Sequence, residues 1–214
     1  MTYSLLYKEL RLAAHPNLYA FTLLGALVIV PAYPYGMVFL FGCLGPYITF
    51  LYGRETNDIF YTALLPVKKR DIVKAKCMLV ALAQMAQLLV SLPFAFLRVS
   101  LLPQGNAAGL EANAAYYGFG LMVYALFNLI FLTQFFKTAY KAGKAFLLAI
   151  IPATLMVAVM EALAHVPGLA WLDSVAPEAL LRQLPLLIAG AAAYPAAMAA
   201  ACRIAAKRFE QVDL

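Results

Sequence analysis

Charge is scarce in this chain. Asp, Glu, Lys and Arg make up 12% of its 214 residues, against 65% hydrophobic residues and a mean hydropathy of +0.84. A soluble globular domain carries about 25% charged residues, so the composition excludes an ordinary water-soluble fold and indicates a polytopic membrane protein. Histidine is limited to His15 and His165, and cysteine to Cys43, Cys77 and Cys202, with no CxxC pair. A zinc site or a disulfide framework therefore has no basis, and buried small hydrophobes account for the three cysteines. No GxxxxGK[ST], HExxH or GxSxG occurs. Without a glycine-rich loop and lysine to cradle phosphates, any ATPase must be another polypeptide. Without paired acids in the spans or a nucleophile elbow, an intramembrane enzyme lacks its working groups.

What is present is length of apolar run. A helix needs about 20 mostly apolar residues to cross the hydrocarbon core, and six stretches qualify: 17–33, 36–53, 75–97, 113–135, 145–164 and 184–204. Pro31, Pro34 and Gly36 divide the first two, Pro103, Gln104 and Gly105 mark the turn between the third and fourth, and Pro167 and Gly168 open the last outer loop. The first stretch lacks a small-x-small cleavage site and Glu9 interrupts its basic leader, so it reads as a retained span. The expected fold is all-α integral membrane: six transmembrane helices with short loops and no soluble domain.

The few charges are unevenly placed. Fourteen of the 16 Lys and Arg residues fall on one side of these spans, leaving Arg98 and Arg182 on the other, while the ten acids divide six to four. The positive-inside rule then puts both termini in the cytoplasm. The net charge of +6 follows this rule and implies no nucleic-acid partner. Tyr33, Tyr35, Tyr116, Tyr117 and Trp171 fall at outer ends, where an interfacial aromatic belt is expected.

Two segments outside the spans carry pattern. Near the N-terminus, Tyr3, Leu6, Tyr7, Leu10 and Ala14 make an apolar stripe at helical spacing, beside a polar stripe of Ser4, Lys8, Arg11 and His15. Such a helix lies along the inner membrane surface, either as a plain basic anchor on membrane lipid or in a specialised role, and Pro16 turns the chain into the bilayer. Between spans two and three lies Glu55 to Lys76, ETNDIFYTALLPVKKRDIVKAK. Thr56 or Asn57 can cap a short helix with Asp58 at its positive end. Ile59, Phe60, Ala63 and Leu64 share a face, Leu65 follows, and Pro66 ends the helix. A short helix with exposed apolar groups suits a partner's groove; the alternative is packing on the membrane or on neighbouring loops.

This insert, with LPVKKRDIVKAK at its end, resembles the corresponding region of ABC-2 type permeases, the small six-span membrane subunits of bacterial ABC exporters. LLYKELRL resembles that family's interfacial elbow helix, and AAKRFEQVDL its basic-then-acidic ending. In layout the resemblance covers residues 1–214 as a single transmembrane domain, with Tyr3, Leu6, Tyr7, Lys8, Leu10 and Arg11 in the elbow. It implies that Glu55, Asp58, Ile59, Phe60, Leu64 and Leu65 belong to a coupling helix docking on a separate ATP-binding subunit, which holds ATP and Mg. Pro66, Arg70, Asp71 and Lys76 match the family pattern, whereas Lys68 and Lys69 stand where small hydroxyl residues are common. The resemblance further implies a homo- or heterodimer of permeases in the bacterial cytoplasmic membrane, similar to the phenol-soluble modulin exporter permeases.

Polar residues within the spans are few. Gln84, Gln87 and Ser91 share a face of the third, and Asn128 and Gln134 lie in the fourth. Such groups bond between helices or line a pathway. Glu161, at the outer end of the fifth, is a pathway candidate or a solvated interfacial acid. The sixth span presents Ala189, Gly190, Ala193, Ala197 and Ala201, small residues that let helices approach closely, and Pro195, which would kink it. The leading expectation is an exporter permease for an amphipathic or hydrophobic substrate such as a peptide. A non-transporting membrane adaptor and an integral-membrane enzyme are the alternatives.

Overall fold

The computed structural model describes residues 2–101, 106 and 108–212. Among these every regular element is helical, and the chain is an all-α integral membrane protein. The turn expected at Pro103, Gln104 and Gly105 lies outside the described residues.

Five helices are long and apolar enough to span: α3 (Gly36–Glu55), α5 (Lys69–Leu101), α6 (Ala114–Phe135), α7 (Ala142–Ala164) and α8 (Pro177–Glu210). All five overlap the expected stretches. Among these five, the largest differences are in α5 and α8, whose 33 and 34 residues overrun the expected spans at both ends. Apolar runs mark only the part in lipid; at about 1.5 Å per residue both helices reach about 50 Å, beyond a hydrocarbon core of about 30 Å.

The first span differs most. The N-terminal helix α1 (Thr2–Lys8) runs on through a π-helical turn, Glu9–Ala13, and meets the next segment at 90°. That segment is α2 (Pro16–Leu23), which tightens into a 3-10 helix over Leu24–Ile29 and ends short of the expected residue 33. A Cβ on Gly25 would collide with the Gln87 carbonyl, so only glycine permits this approach to α5. Gln87 then donates to the Phe21 carbonyl at 2.8 Å, satisfying an acceptor where the helical ladder changes. Pro16 opens α2, with His15 accepting from the Asn17 N–H at 3.2 Å. Ala32, at φ 56°, takes the left-handed turn toward α3.

The core is aromatic. Phe39 packs on Tyr116 at 4.5 Å and on Tyr124 at 5.6 Å between ring centroids, and Phe50 meets Phe131 and Phe135 lower in the bundle. Tyr35 and Tyr116 are fully buried, so they are not the interfacial belt expected of them. The Arg98 Nε donates to the Tyr35 hydroxyl at 2.9 Å, and the Tyr116 hydroxyl to the Tyr35 carbonyl at 3.2 Å. α6 and α8 touch backbone to backbone, since a Cβ on Gly190 would strike Gly118. Of the small-residue stripe on α8, Gly190 and Ala201 face this interior while Ala189 faces out. α8 continues through Pro195 as one helix.

The basic segments converge at one end of the bundle. There Arg54 lies over the Tyr140 ring at 5.4 Å, Lys69 donates to the Val212 carbonyl at 2.6 Å, and Arg208 to the Thr133 carbonyl at 2.5 Å. Arg98, Glu111, Asn113, Glu161 and Asp173 gather at the other end.

Candidate functional site

The insert between α3 and α5 forms α4 (Asp58–Ala63), a helix of six residues at the basic end. Its cap is not the expected one. Asn57 enters in the left-handed region at φ 53° with no side-chain bond to the helix, and the Thr56 hydroxyl donates back to the Tyr52 carbonyl at 3.1 Å. Asparagine tolerates that conformation better than most residues, so the joint is sharp without glycine.

α4 turns two residues inward, Ile59 and Thr62. Ile59 is therefore part of the packing rather than the exposed face. Phe60 (43% exposed), Tyr61 (62%), Leu64 (68%) and Leu65 (54%) point out, so Tyr61 takes the place that sequence reasoning assigned to Ile59. Glu55 and Pro66 are also exposed, Glu55 pairing with Arg54. Arg70 and Asp71 lie in the first turns of α5, where Asp71 stands 3.9 Å from Lys74.

Asp58 does more than complement a helix dipole. It accepts from Lys76 at 2.8 Å and pairs with Lys8 of α1, while Glu9 accepts from Lys76 at 2.9 Å and from Lys8 at 3.0 Å. The four residues thus make a closed ring of alternating charge joining α1, α4 and α5. Lys8 also donates to the Thr62 hydroxyl at 2.8 Å, and the Phe50 ring covers Lys76. Burial pushes the Asp58 carboxyl up, but Lys76 and Lys8 outweigh it and hold the group below the ordinary aspartate range. Sequence reasoning missed the ring. Its available signal was Lys76, a cation flanked by Ile72, Val73, Ala75 and Cys77 at the mouth of a span.

The face of the N-terminal segment buried against the bundle is Leu5, Glu9 and Ala13. Tyr3 and Tyr7 of the apolar stripe face outward, Leu6 and Leu10 are half-buried, and Arg11 stacks over the Tyr7 ring at 5.9 Å. Between α1 and α4 runs a groove of about 620 Å³, lined by Leu5, Leu12, Tyr52, Tyr61 and Leu65 with Lys8 and Asp58 at its polar floor.

The polar residues of the spans are tied to one another. Gln84 and Asn128 exchange two hydrogen bonds, at 3.0 and 2.7 Å, and the Tyr194 hydroxyl donates to Gln84 at 2.9 Å. Gln87 holds the Phe21 and Val38 carbonyls and accepts from the Tyr124 hydroxyl. All three amides are buried, at 0–1% exposure. Glu161 is not a freely solvated acid: it accepts the Gly36 N–H at 2.6 Å and the Leu110 N–H at 2.9 Å, pinning two loops.

No curated protein and no solved structure matches the chain significantly. Residues 4–204 match the family described as ABC-2 family transporter protein. That stretch contains α3, α4, α5, α6 and α7 whole, with most of α1 and of α8. The chain is a multi-pass membrane component of a transporter and belongs to the ABC-2 family.

Proposed function

We propose that this chain is the permease subunit of an ATP-driven exporter that moves an amphipathic or hydrophobic substrate, such as a peptide, out of the bacterial cytoplasm. α4 docks on a separate ATP-binding subunit, which holds ATP and Mg, and a second permease completes the pathway. The basic end, with both termini, faces the cytoplasm, as the 14 cations on that side favour.

The observation that carries the reading is the exposed cluster Phe60, Tyr61, Leu64 and Leu65, on and just after a helix too short to span that is fixed to the bundle by buried ion pairs. Exposed aromatics on a preorganised element are what a partner's groove takes up at low entropic cost. Glu55, Pro66, Arg70 and Asp71 flank that surface, and α1 with Lys8 and the π-helical turn with Arg11 lie beside it.

The test is purification in mild detergent of the chain expressed with its operon neighbours. A stoichiometric P-loop protein, lost on Phe60→Asp/Leu64→Asp while membrane insertion persists, is the expected result. Full transport by that double variant would remove α4 from the docking role.

A further inference from the structure

Several cations of the basic end are engaged within the protein. Arg54 pairs with Glu55, Lys69 donates to the Val212 carbonyl, and Arg208 donates to the Thr133 carbonyl. Arg70, Arg203 and Lys207 are exposed, and among the described residues none of them makes an ion pair. These three nevertheless converge. Arg70, in the first turn of α5, and Arg203 and Lys207, in the last turns of α8, line one cleft of about 330 Å³ together with Ile204 and Ala206. Glu210 is the only acid among the lining residues, so three cations and one carboxylate leave a net charge of +2. A cleft lined by charge of one sign concentrates counter-ions, and this one therefore calls for an anion.

The position of the cleft identifies the kind of anion. It lies where the apolar run of α8 ends, at the height of lipid headgroups, and Ile204 at the end of that run lines it while remaining 39% exposed. Above Arg203, the residues that share its face of α8 at helical spacing are Ala199, Ala196, Ala192 and Ile188, all exposed. One face of the helix is thus apolar along the span and cationic at its end, which is the polarity of a phospholipid laid against it. We infer that the cleft binds the phosphate of an anionic phospholipid whose acyl chains run along this face of α8. Arg70 and Arg203 offer planar forks to phosphate oxygens and Lys207 a point charge. The net charge of the cleft favours a headgroup of net negative charge over a zwitterionic one, whose own cation it repels. With the basic end in the cytoplasm, the lipid belongs to the inner leaflet; the chemistry of the cleft is the same in either orientation. A lipid held there ties the head of α5 to the tail of α8.

The experiment is native mass spectrometry of the full chain in mild detergent, titrated with dioleoylphosphatidylglycerol or with dioleoylphosphatidylcholine. The wild type is expected to retain the anionic lipid severalfold better. Arg203→Gln/Lys207→Gln is expected to bring that retention down to the phosphatidylcholine level. Lys137→Gln/Lys141→Gln removes the same charge from exposed residues between α6 and α7 and should retain the lipid as the wild type does. If the first variant lowers the lipid-free unfolding midpoint, Arg70→Gln makes the same test from the other helix, with the same loss expected. Equal retention of the two lipids by the wild type overturns the site. Equal loss in the two double variants also overturns it, because diffuse attraction to the basic end then accounts for the binding. Displacement of the lipid by soluble glycerophosphoglycerol at matched concentration would assign the cleft to a free phosphate ester instead. Retention that falls as the dimer population grows would seat a second copy of the chain on this face and remove the lipid from it.

Discussion

Lys76, in the second turn of α5, lies 2.9 Å from Glu9, a residue 67 positions earlier at the start of the π-helical turn. The contact joins the N-terminal segment to the head of the 33-residue α5, and Asp58 joins the same lysine from α4. Removing one partner of a buried pair leaves the other charge stranded, at a cost of about 3–5 kcal/mol, whereas removing a balanced pair costs far less.

Lys76→Met is therefore expected to lower the thermal unfolding midpoint strongly, because Glu9 and Asp58 would share only Lys8. Lys76→Met/Glu9→Gln restores the balance, and its midpoint is expected to lie above that of the single variant. Scanning both proteins in mild detergent measures this directly. A double variant less stable than Lys76→Met would show that the ring is not the stabilising unit.

The two ends of the bundle respond to acid with opposite sign. Burial pushes the Glu111 carboxyl up, against the pull of Arg98, and burial likewise raises Asp173. Their folded values exceed the unfolded ones, so their stabilisation is present at low pH and lost as pH rises through the raised values. Asp58 is lowered, so its contribution is complete above the unfolded value of about 3.9 and is lost as pH falls through the lowered folded one. The midpoint of the wild type is expected to rise on acidification from pH 7 toward 5 and to fall below about pH 4. Glu111→Gln/Asp173→Asn should shrink the rise and leave the fall. A rise undiminished in the double variant would assign it to other groups.

Close approach of α6 and α8 rests on two glycines. A Cβ on Gly190 would meet the Gly118 backbone, and one on Gly118 would meet the Leu186 carbonyl at 2.6 Å. Neither obstacle is a flexible side-chain tip, so the helices must separate. Overpacking of this kind costs about 1–3 kcal/mol, at about 2–4 °C in midpoint per kcal/mol for a chain of this size. Gly190→Ala is expected to show that loss. Gly168→Ala, where nothing lies within 4 Å of the added Cβ, is the matched control and should not.

The spanning helices were legible in the sequence because hydrophobic run length is a local property. Their aqueous extensions were not, since Lys69 to Lys74 and Arg203 to Glu210 are polar turns that continue the helix after the apolar signal has ended. The short first span depends on Gly25 meeting Gln87, a contact that no local pattern encodes. Tyr35 and Tyr116 look like interfacial residues because aromatics at span ends usually are; here Arg98 draws the Tyr35 hydroxyl inward. In α4 the position of the helix was readable from Pro66 and the apolar spacing. Which residues faced out was not, because Asp58 is recruited by lysines from two other elements and rotates Ile59 into the core.

Glu161 brings the question of lock against pathway to one side chain. Its two oxygens accept the N–H of Gly36, the first residue of α3, and of Leu110, in the loop before α6. Gln at this position keeps one acceptor but presents its amide N–H₂ to a backbone donor, leaving an unsatisfied pair at a cost of about 1–3 kcal/mol. A Cβ on Gly109 would also overlap the Glu161 carboxylate, so the loop is shaped around it. Glu161→Gln is expected to lower the unfolding midpoint and the maximal export rate of the assembled transporter together. The substrate concentration at half-maximal rate should not move, because a residue that holds loops changes how much protein works and not how substrate is bound. A shift in that concentration at an unchanged midpoint would make Glu161 part of the substrate path.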